Sequence, residues 1–398
     1  LLRLFWGQLA LAILLMKIVI APDSFKESLS ALAVAQAIEN GIKAVLPNAL
    51  TVCIPMADGG EGTLATVLQA TAGQSRELTV LDALGRPRLA QWGWLPKQTA
   101  LIEMASAAGL EQVAPSARDP LRADTFGVGQ LMLAALDAGA RTIVLTAGGS
   151  ATNDGGVGML RALGVRWLDQ DDQVLAAGGA ALLNLARIDA SGLDPRLSHT
   201  KIMIATDVNN PLCGPKGASA TFGPQKGATP EMVSLLDEAL ARLADFSAAV
   251  LSRDERDSPG AGAAGGLGFA AMAWLNAKMR PGAALVAELV SLDQAMQSAD
   301  LAFTGEGSMD AQTLQGKTPM GVIEVAHRHN VPVIALVGRL GDGYQSLYDV
   351  GLTAAFSLAN GPLALEQACE QAAALLEARA SDIMRTWLRA AGVRTKHR

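Results

Sequence analysis

Six apolar runs in this chain end in the same way, each running into a cluster of glycine, small polar or charged residues. Residues 17–21 stop at Pro22-Asp23-Ser24-Phe25-Lys26, and residues 51–56 at Ala57-Asp58-Gly59-Gly60-Glu61-Gly62. Residues 142–145 lead into Ala147-Gly148-Gly149-Ser150-Ala151-Thr152-Asn153-Asp154-Gly155-Gly156, and residues 201–205 into Thr206-Asp207-Val208-Asn209-Asn210-Pro211. Residues 301–303 stop at Thr304-Gly305-Glu306-Gly307-Ser308-Met309-Asp310, and residues 331–337 at Gly338-Arg339. Short β-branched runs bounded by glycine are buried-strand signals. In open parallel sheets ligands bind beyond the carboxyl ends of the strands. The repetition therefore predicts an α/β chain with a composite site built from strand ends.

A helix is expected from about Ser30, with Leu32, Ala35, Ile38, Ile42 and Val45 at helical spacing, which makes the first elements a βαβ unit. The pattern changes near residue 76. Residues 76–80 and 88–95 flank the turn-rich Asp82-Ala83-Leu84-Gly85-Arg86-Pro87 and read as a hairpin, followed by a strand over 99–104. A chain of 398 residues exceeds what one core usually serves. The expected division is a parallel α/β/α domain from residues 16–75 and 295–398, with residues 76–294 inserted as a mixed-sheet α/β domain. Arg3 and the apolar run 9–15 look like the start of an export signal, but cleavage after Ala21 would remove the first strand. Residues 1–15 are therefore expected to be an extension outside the fold, with Met16 as the natural start.

Half of the residues are hydrophobic and under a fifth are charged, and the net charge is −6. Nothing in that balance attracts nucleic acid or an anionic membrane, and the basic tail 394–398 reads as a frayed terminus. Cys53, Cys213 and Cys369 form no metal or CxxC pattern, which fits a reducing, cytoplasmic setting. Two nucleotide motifs fail on context. Gly260-Ala261-Gly262-Ala263-Ala264-Gly265 has the glycine spacing of a dinucleotide fingerprint, yet it follows a polar loop rather than a strand. Gly316-Lys317-Thr318 resembles the end of a P-loop, but Ala311 stands where that loop needs glycine.

The loop 147–158 is the strongest candidate for an anion. Glycine lets backbone N–H groups approach a ligand closely, and Ser150, Thr152 and Asp154 are oxygen donors for phosphate or a divalent cation.

Taken together, Met16-Lys-Ile-Val-Ile-Ala-Pro-Asp-Ser-Phe-Lys-Glu-Ser-Leu, Ala57-Asp-Gly-Gly-Glu-Gly-Thr, Gly148-Gly-Ser-Ala-Thr-Asn-Asp-Gly-Gly, Phe222-Gly-Pro-Gln-Lys-Gly-Ala, Pro259-Gly-Ala-Gly-Ala-Ala-Gly-Gly and Thr304-Gly-Glu-Gly-Ser-Met-Asp resemble the bacterial type-1 glycerate kinases. The resemblance runs in order from Met16 nearly to the C-terminus. It implies phosphorylation of D-glycerate by ATP with Mg²⁺, usually at the 2-hydroxyl, in a protein with a Rossmann-like domain made from both chain ends. The residues alone point to a composite anion site, not to glycerate.

Phosphoryl transfer needs cations around the phosphates, hard oxygen ligands for a metal, and a carboxylate to take the acceptor proton. Asp207, Asp58 and Lys26 are the expected catalytic groups. Gly148, Gly149, Ser150, Thr152, Asn153, Lys226, Gly305, Glu306 and Lys317 are the expected nucleotide contacts, and Asp154, Asp207 and Asp310 the expected metal ligands. A homo-oligomer is compatible with all of this. Two other classes share the two-domain form: a solute-binding protein for a small organic anion, and a small-acid dehydrogenase, for which the strand-borne fingerprint is missing.

Overall fold

The computed structural model describes residues 16–390. The proposed extension 1–15 and the basic tail 394–398 lie outside the described residues. Among the described residues the strands run β1 (Lys17–Ile20), β2 (Leu50–Cys53), β3 (Gln74–Leu81), β4 (Pro87–Leu95), β5 (Thr99–Glu103), β6 (Thr142–Thr146), β7 (Arg166–Leu168), β8 (Arg187–Asp189), β9 (Lys201–Ala205), β10 (Lys278–Arg280), β11 (Leu301–Met309), β12 (Val333–Leu340) and β13 (Leu352–Ser357). They divide between two compact α/β units.

The first unit takes the described chain up to Asp58, residues Gln69–Thr71, and the chain from Ala283 onward. Its sheet has the order β13-β12-β11-β1-β2, and every pairing in it is parallel. From β1 the chain goes outward to β2 on one side, whereas β11, β12 and β13 step outward on the other. The strand order therefore reverses between β1 and β11, the position at which open sheets part to form a crevice. The helix Ala31–Val45 starts where expected, with the Ser30 hydroxyl accepting the Ala33 N–H at 3.2 Å as an N-cap. Ala35, Ile38 and Ile42 are buried as its spacing requires, while Leu32, expected on the same face, is exposed. The side chains of Ile18, Ile20, Phe303, Ile334 and Leu336 form the core of this unit with that helix and with Ala372–Ala390.

The second unit comprises Gly59–Leu68 and Ala72–Gly282. Its main sheet has the order β10-β9-β6-β5-β4-β3. Four strands are parallel and the last two form the expected antiparallel hairpin, whose register pairs Val80 with Arg88. The division falls earlier than residues 76 and 295 because residues after Asp58 are anchored to this sheet. A Cβ on Gly59 would lie 3.1 Å from the Ala205 Cβ, and the Leu64 N–H donates to Glu103 at the end of β5 at 3.0 Å.

Two strands are longer than their apolar runs. β11 continues through Gly305, Glu306 and Ser308 to Met309, and β12 through Gly338 and Arg339, because the two strands go on pairing, Glu306 opposite Val337 and Ser308 opposite Arg339. A ladder needs only backbone groups, so the partner strand carries pairing past the point where side-chain hydrophobicity ends.

Candidate active site

In the second unit, β6 and β9 are parallel neighbours in register, Thr146 beside Ala205, and the Ala147 N–H donates to the Ala205 carbonyl at 3.2 Å. Gly148–Gly149 and Asp207 therefore emerge at the same end of adjacent strands. Asp207 is exposed, and one of its carboxylate oxygens accepts the Gly282 N–H, just beyond β10, at 3.1 Å. Gly148 is half-buried against Gly60, whose Cα would lie 2.9 Å from a Cβ placed there, so only glycine fits. Gly149 is exposed with φ of 69°, a left-handed conformation that glycine adopts without strain. Among the described residues neither the Gly148 nor the Gly149 N–H has an intramolecular acceptor. Two unpaired amides on a glycine pair at a strand end form a receptive place for an anion.

The rest of that loop turns inward, and the structure places its expected site residues inside the protein. Asp154, expected to hold a metal, is fully buried and saturated: one oxygen accepts the Thr125 N–H (2.9 Å), the Thr125 hydroxyl (2.8 Å) and the Gly158 N–H (3.0 Å), and the other accepts the Gly156 N–H (3.1 Å). It braces the loop from inside. The fully buried Asn153 donates through Nδ2 to the Ser219 hydroxyl at 2.8 Å. Ser150 and Thr152 are buried too, and both are engaged by Lys226, whose Nζ lies 2.8 Å from the Ser150 Oγ and 2.6 Å from the Thr152 carbonyl oxygen. Burial pushes the Lys226 amine down to about 7, against the pull of Asp154.

The glycine-spaced stretch 260–265 finds its role beneath the same loop. The Gly265 carbonyl accepts the Gly155 N–H at 2.9 Å, and a Cβ on Gly265 would lie 2.0 Å from the Thr152 carbonyl. Those glycines permit backbone-to-backbone packing and form no dinucleotide fingerprint.

In the first unit, the turn that follows β1 is tied to the middle of β11 by the Asp23 N–H donating to the Gly305 carbonyl at 2.9 Å. Asp23 was not singled out from the sequence as a site residue. Its carboxylate accepts the Ser24 N–H at 2.6 Å and the hydroxyl of Thr318, the first residue of the helix Thr318–Arg328. Burial raises its pKa to about 6, with Asp58 adding to the rise and Thr318 opposing it. Glu306, inside β11, accepts the Thr313 hydroxyl at 2.7 Å and lies 3.7 Å from the Lys317 Nζ. Burial lifts it to about 7 in spite of both partners.

Asp310, an expected metal ligand, also has a local role. It is the N-cap of the turn Ala311–Gln315, accepting the Gln312 N–H at 2.8 Å while its own N–H donates to the Thr313 hydroxyl, with Lys317 3.9 Å away. The two side chains, three residues apart, form a capping box. Gly305, expected to touch nucleotide, lies within the β11–β12 ladder, where a Cβ would come 2.2 Å from the Leu336 carbonyl, so its bareness serves strand packing. Lys26 is exposed in the turn after β1.

Among the described residues no group of three or more His, Cys, Asp or Glu side chains is arranged to hold a metal ion. Mg²⁺ does not require one. It keeps several waters and is commonly bound through one or two carboxylates plus substrate phosphates. An exposed carboxylate at one strand end, beside unpaired amides at the next, fits an ion that arrives with a phosphorylated ligand.

A parallel α/β unit joined to a mixed-sheet α/β unit, each with polar groups gathered at its strand ends, defines a two-unit α/β protein with the strand-end crevices in which open sheets bind ligands. The glycerate kinase family model matches residues 18–388, and the chain belongs to that family. It is 49% identical over 369 residues to a glycerate kinase of Bacillus subtilis (strain 168), covering 92% of this chain and 97% of that relative. It is 46% identical over 354 residues to the glycerate 2-kinase of Escherichia coli (strain K12), covering 89% and 93%. A crystal structure from Salmonella typhimurium LT2, provisionally assigned as glycerate kinase 2, superposes with a TM-score of 0.87 at 46% identity, over 95% of this chain and 100% of that one. The protein is thus a kinase, a phosphotransferase, which sets aside the solute-binding and dehydrogenase alternatives. No helix among the described residues is long and apolar enough to cross a membrane.

Proposed function

We propose that the protein transfers the γ-phosphoryl group of ATP to the 2-hydroxyl of D-glycerate, with Mg²⁺. The observation that carries the nucleotide part of this reading is the pair of unpaired amides at Gly148 and Gly149 beside the exposed carboxylate of Asp207, on adjacent parallel strands of one unit. The likeness to an Escherichia coli protein named glycerate 2-kinase supports the choice of hydroxyl.

In this reading the Gly148 and Gly149 N–H groups hold phosphate oxygens, and Asp207 holds the metal or accepts the acceptor proton. Bound Mg²⁺ neutralises charge on the phosphates and the leaving group. Asp58 and Lys26, in the turns after β2 and β1, are the other groups proposed to serve the reaction. Glu306 and Lys317 form a partly buried ion pair of the first unit and help to fix the start of the helix Thr318–Arg328. The three cysteines are free thiols, in keeping with the proposed cytoplasmic setting.

The test is purified protein with ATP, Mg²⁺ and D-glycerate, the product being read by phosphorus NMR. 2-Phosphoglycerate is expected. Formation of 3-phosphoglycerate instead would overturn the regiochemistry, and turnover only with another hydroxy acid would overturn the substrate.

A further inference from the structure

Lys226 is a cation in a segment of the family resemblance, and its simplest role is a direct contact to phosphate. The geometry does not favour that role. Lys226 ends the short turn Pro224–Lys226, which is fixed on both sides: its own N–H and that of Ala228 donate to the Gly223 carbonyl at 3.0 and 3.1 Å, and the Arg118 guanidinium donates to the Gln225 carbonyl at 2.9 Å. Gly227 follows with φ of 92° and reverses the chain. The side chain is thereby sent inward, and the whole residue is 1% exposed. Two of the Nζ hydrogen bonds go to one stretch of chain, at residues 150 and 152.

A buried lysine is costly to desolvate, and its hydrogen bonds offset that cost while organising the groups that accept them. What it organises here is the loop that carries the unpaired glycine amides. The outer face of that loop is held by the Leu110 N–H on the Gly149 carbonyl (2.7 Å) and the Ala151 N–H on the Ala108 carbonyl (2.9 Å). The inner face is held by Lys226, from a segment 76 residues away in sequence from Ser150. Removing Nζ leaves the Thr152 carbonyl and the Ser150 hydroxyl without this partner, in a place water does not reach freely.

We infer that Lys226 is a positioning residue, which clamps the loop from beneath through Ser150 and Thr152 so that the Gly148 and Gly149 N–H groups face an incoming phosphate, and which does not touch the ligand. This rests on the proposal that the loop holds nucleotide phosphates. A clamp and a ligand differ in the free protein: the clamp acts before anything binds.

The experiment uses the full chain with Lys226→Met, which keeps the length and apolar stem, and with Ser150→Ala, which removes one acceptor and leaves the lysine in place. Amide hydrogen exchange is followed without ligand, and binding of MgADP is measured by calorimetry. In Lys226→Met, exchange at Ala151, the amide of residues 148–152 that is hydrogen-bonded in the free protein, is expected to accelerate about tenfold or more, and MgADP affinity to fall about tenfold, the share of one charge-assisted hydrogen bond. Ser150→Ala is expected to move both in the same direction by about half as much on a logarithmic scale, one of two bonds being lost. Weakened binding with unchanged exchange in the free protein would mean that Lys226 contacts the nucleotide, and would overturn the inference. Faster exchange with unchanged affinity would overturn it too, since the clamp would then serve folding alone. Faster exchange in the variants, beside a parent protein that binds MgADP yet does not phosphorylate glycerate, would leave the clamp standing and remove the substrate assignment.

Discussion

Replacing Asp154 by asparagine separates a buried brace from a metal ligand, because the two roles predict opposite results. One oxygen accepts three donors and the other accepts one, all within 3.1 Å. Asparagine can keep the three-donor position with its carbonyl oxygen only by turning its amide toward the Gly156 N–H, so that two donors face each other. One bond is then lost outright, leaving a buried donor unpaired at about 1–3 kcal/mol. The remaining three fall from charge-assisted strength, about 1.5–3 kcal/mol each, toward the neutral range of about 0.5–1.5. Against this, the variant no longer buries a charge. It also relieves Asp124, whose carboxyl is raised to about 6 by burial and then by Asp154, with Arg161 opposing at 2.6 Å.

The sum of losses and partial compensation is a destabilisation of about 2–4 kcal/mol. For a unit of this size that corresponds to a fall of about 5–15 °C in Tm. Calorimetric melting, combined with turnover per folded molecule at a temperature below both transitions, is the assay. Molecules that remain folded are expected to keep turnover within about tenfold of the parent. A melting temperature within about 2 °C of the parent, with turnover reduced a hundredfold, would refute the reasoning and return Asp154 to the metal.

Three further expectations follow from the same geometry. Asp207→Asn keeps the shape of an exposed carboxylate that accepts the Gly282 N–H, so its Tm should stay close to that of the parent while turnover falls about a hundredfold or more; near-normal turnover would move the role to Asp58. The Asp23 carboxyl, raised to about 6 in the folded protein, keeps between its ordinary 3.8 and 6 a proton that the unfolded chain has released, so its share of stability is present below about 4 and lost as the pH rises through 6. Asp23→Asn should flatten the stability profile over that interval, and identical slopes in denaturant titrations at pH 4 to 6 would count against the assignment. Lys226 works in the other direction: between about 7 and 10.5 the unfolded chain holds a proton that the folded amine has given up, so stability rises with pH across that window, and Lys226→Met should lose the rise.

What the sequence by itself determined is local. The apolar runs marked the strands, and Ser30 marked the start of the first long helix, because a side-chain oxygen three residues ahead of an orphan N–H is a short-range relation. The hairpin before Thr99 was legible from its turn residues, and the family from six motifs in order. The glycines at 148 and 149 marked a place where the backbone can lie open, a property of the residue itself.

The direction in which each side chain of that loop points was decided only by the tertiary structure. Asp154 looked like a metal ligand because it is a carboxylate in a glycine-rich loop, but Thr125 supplies two of its four donors from 29 residues away. Lys226 read as a nucleotide contact, yet the fold brings Ser150 and Thr152 onto its amine. Gly305 and Glu306 read as loop residues, yet β12 pairs with them and extends the strand. A carboxylate or an ammonium has no intrinsic preference between a ligand and a buried backbone amide; whichever partner the fold presents at about 3 Å settles its role. In this chain those partners lie tens of residues away, where spacing and composition do not reach.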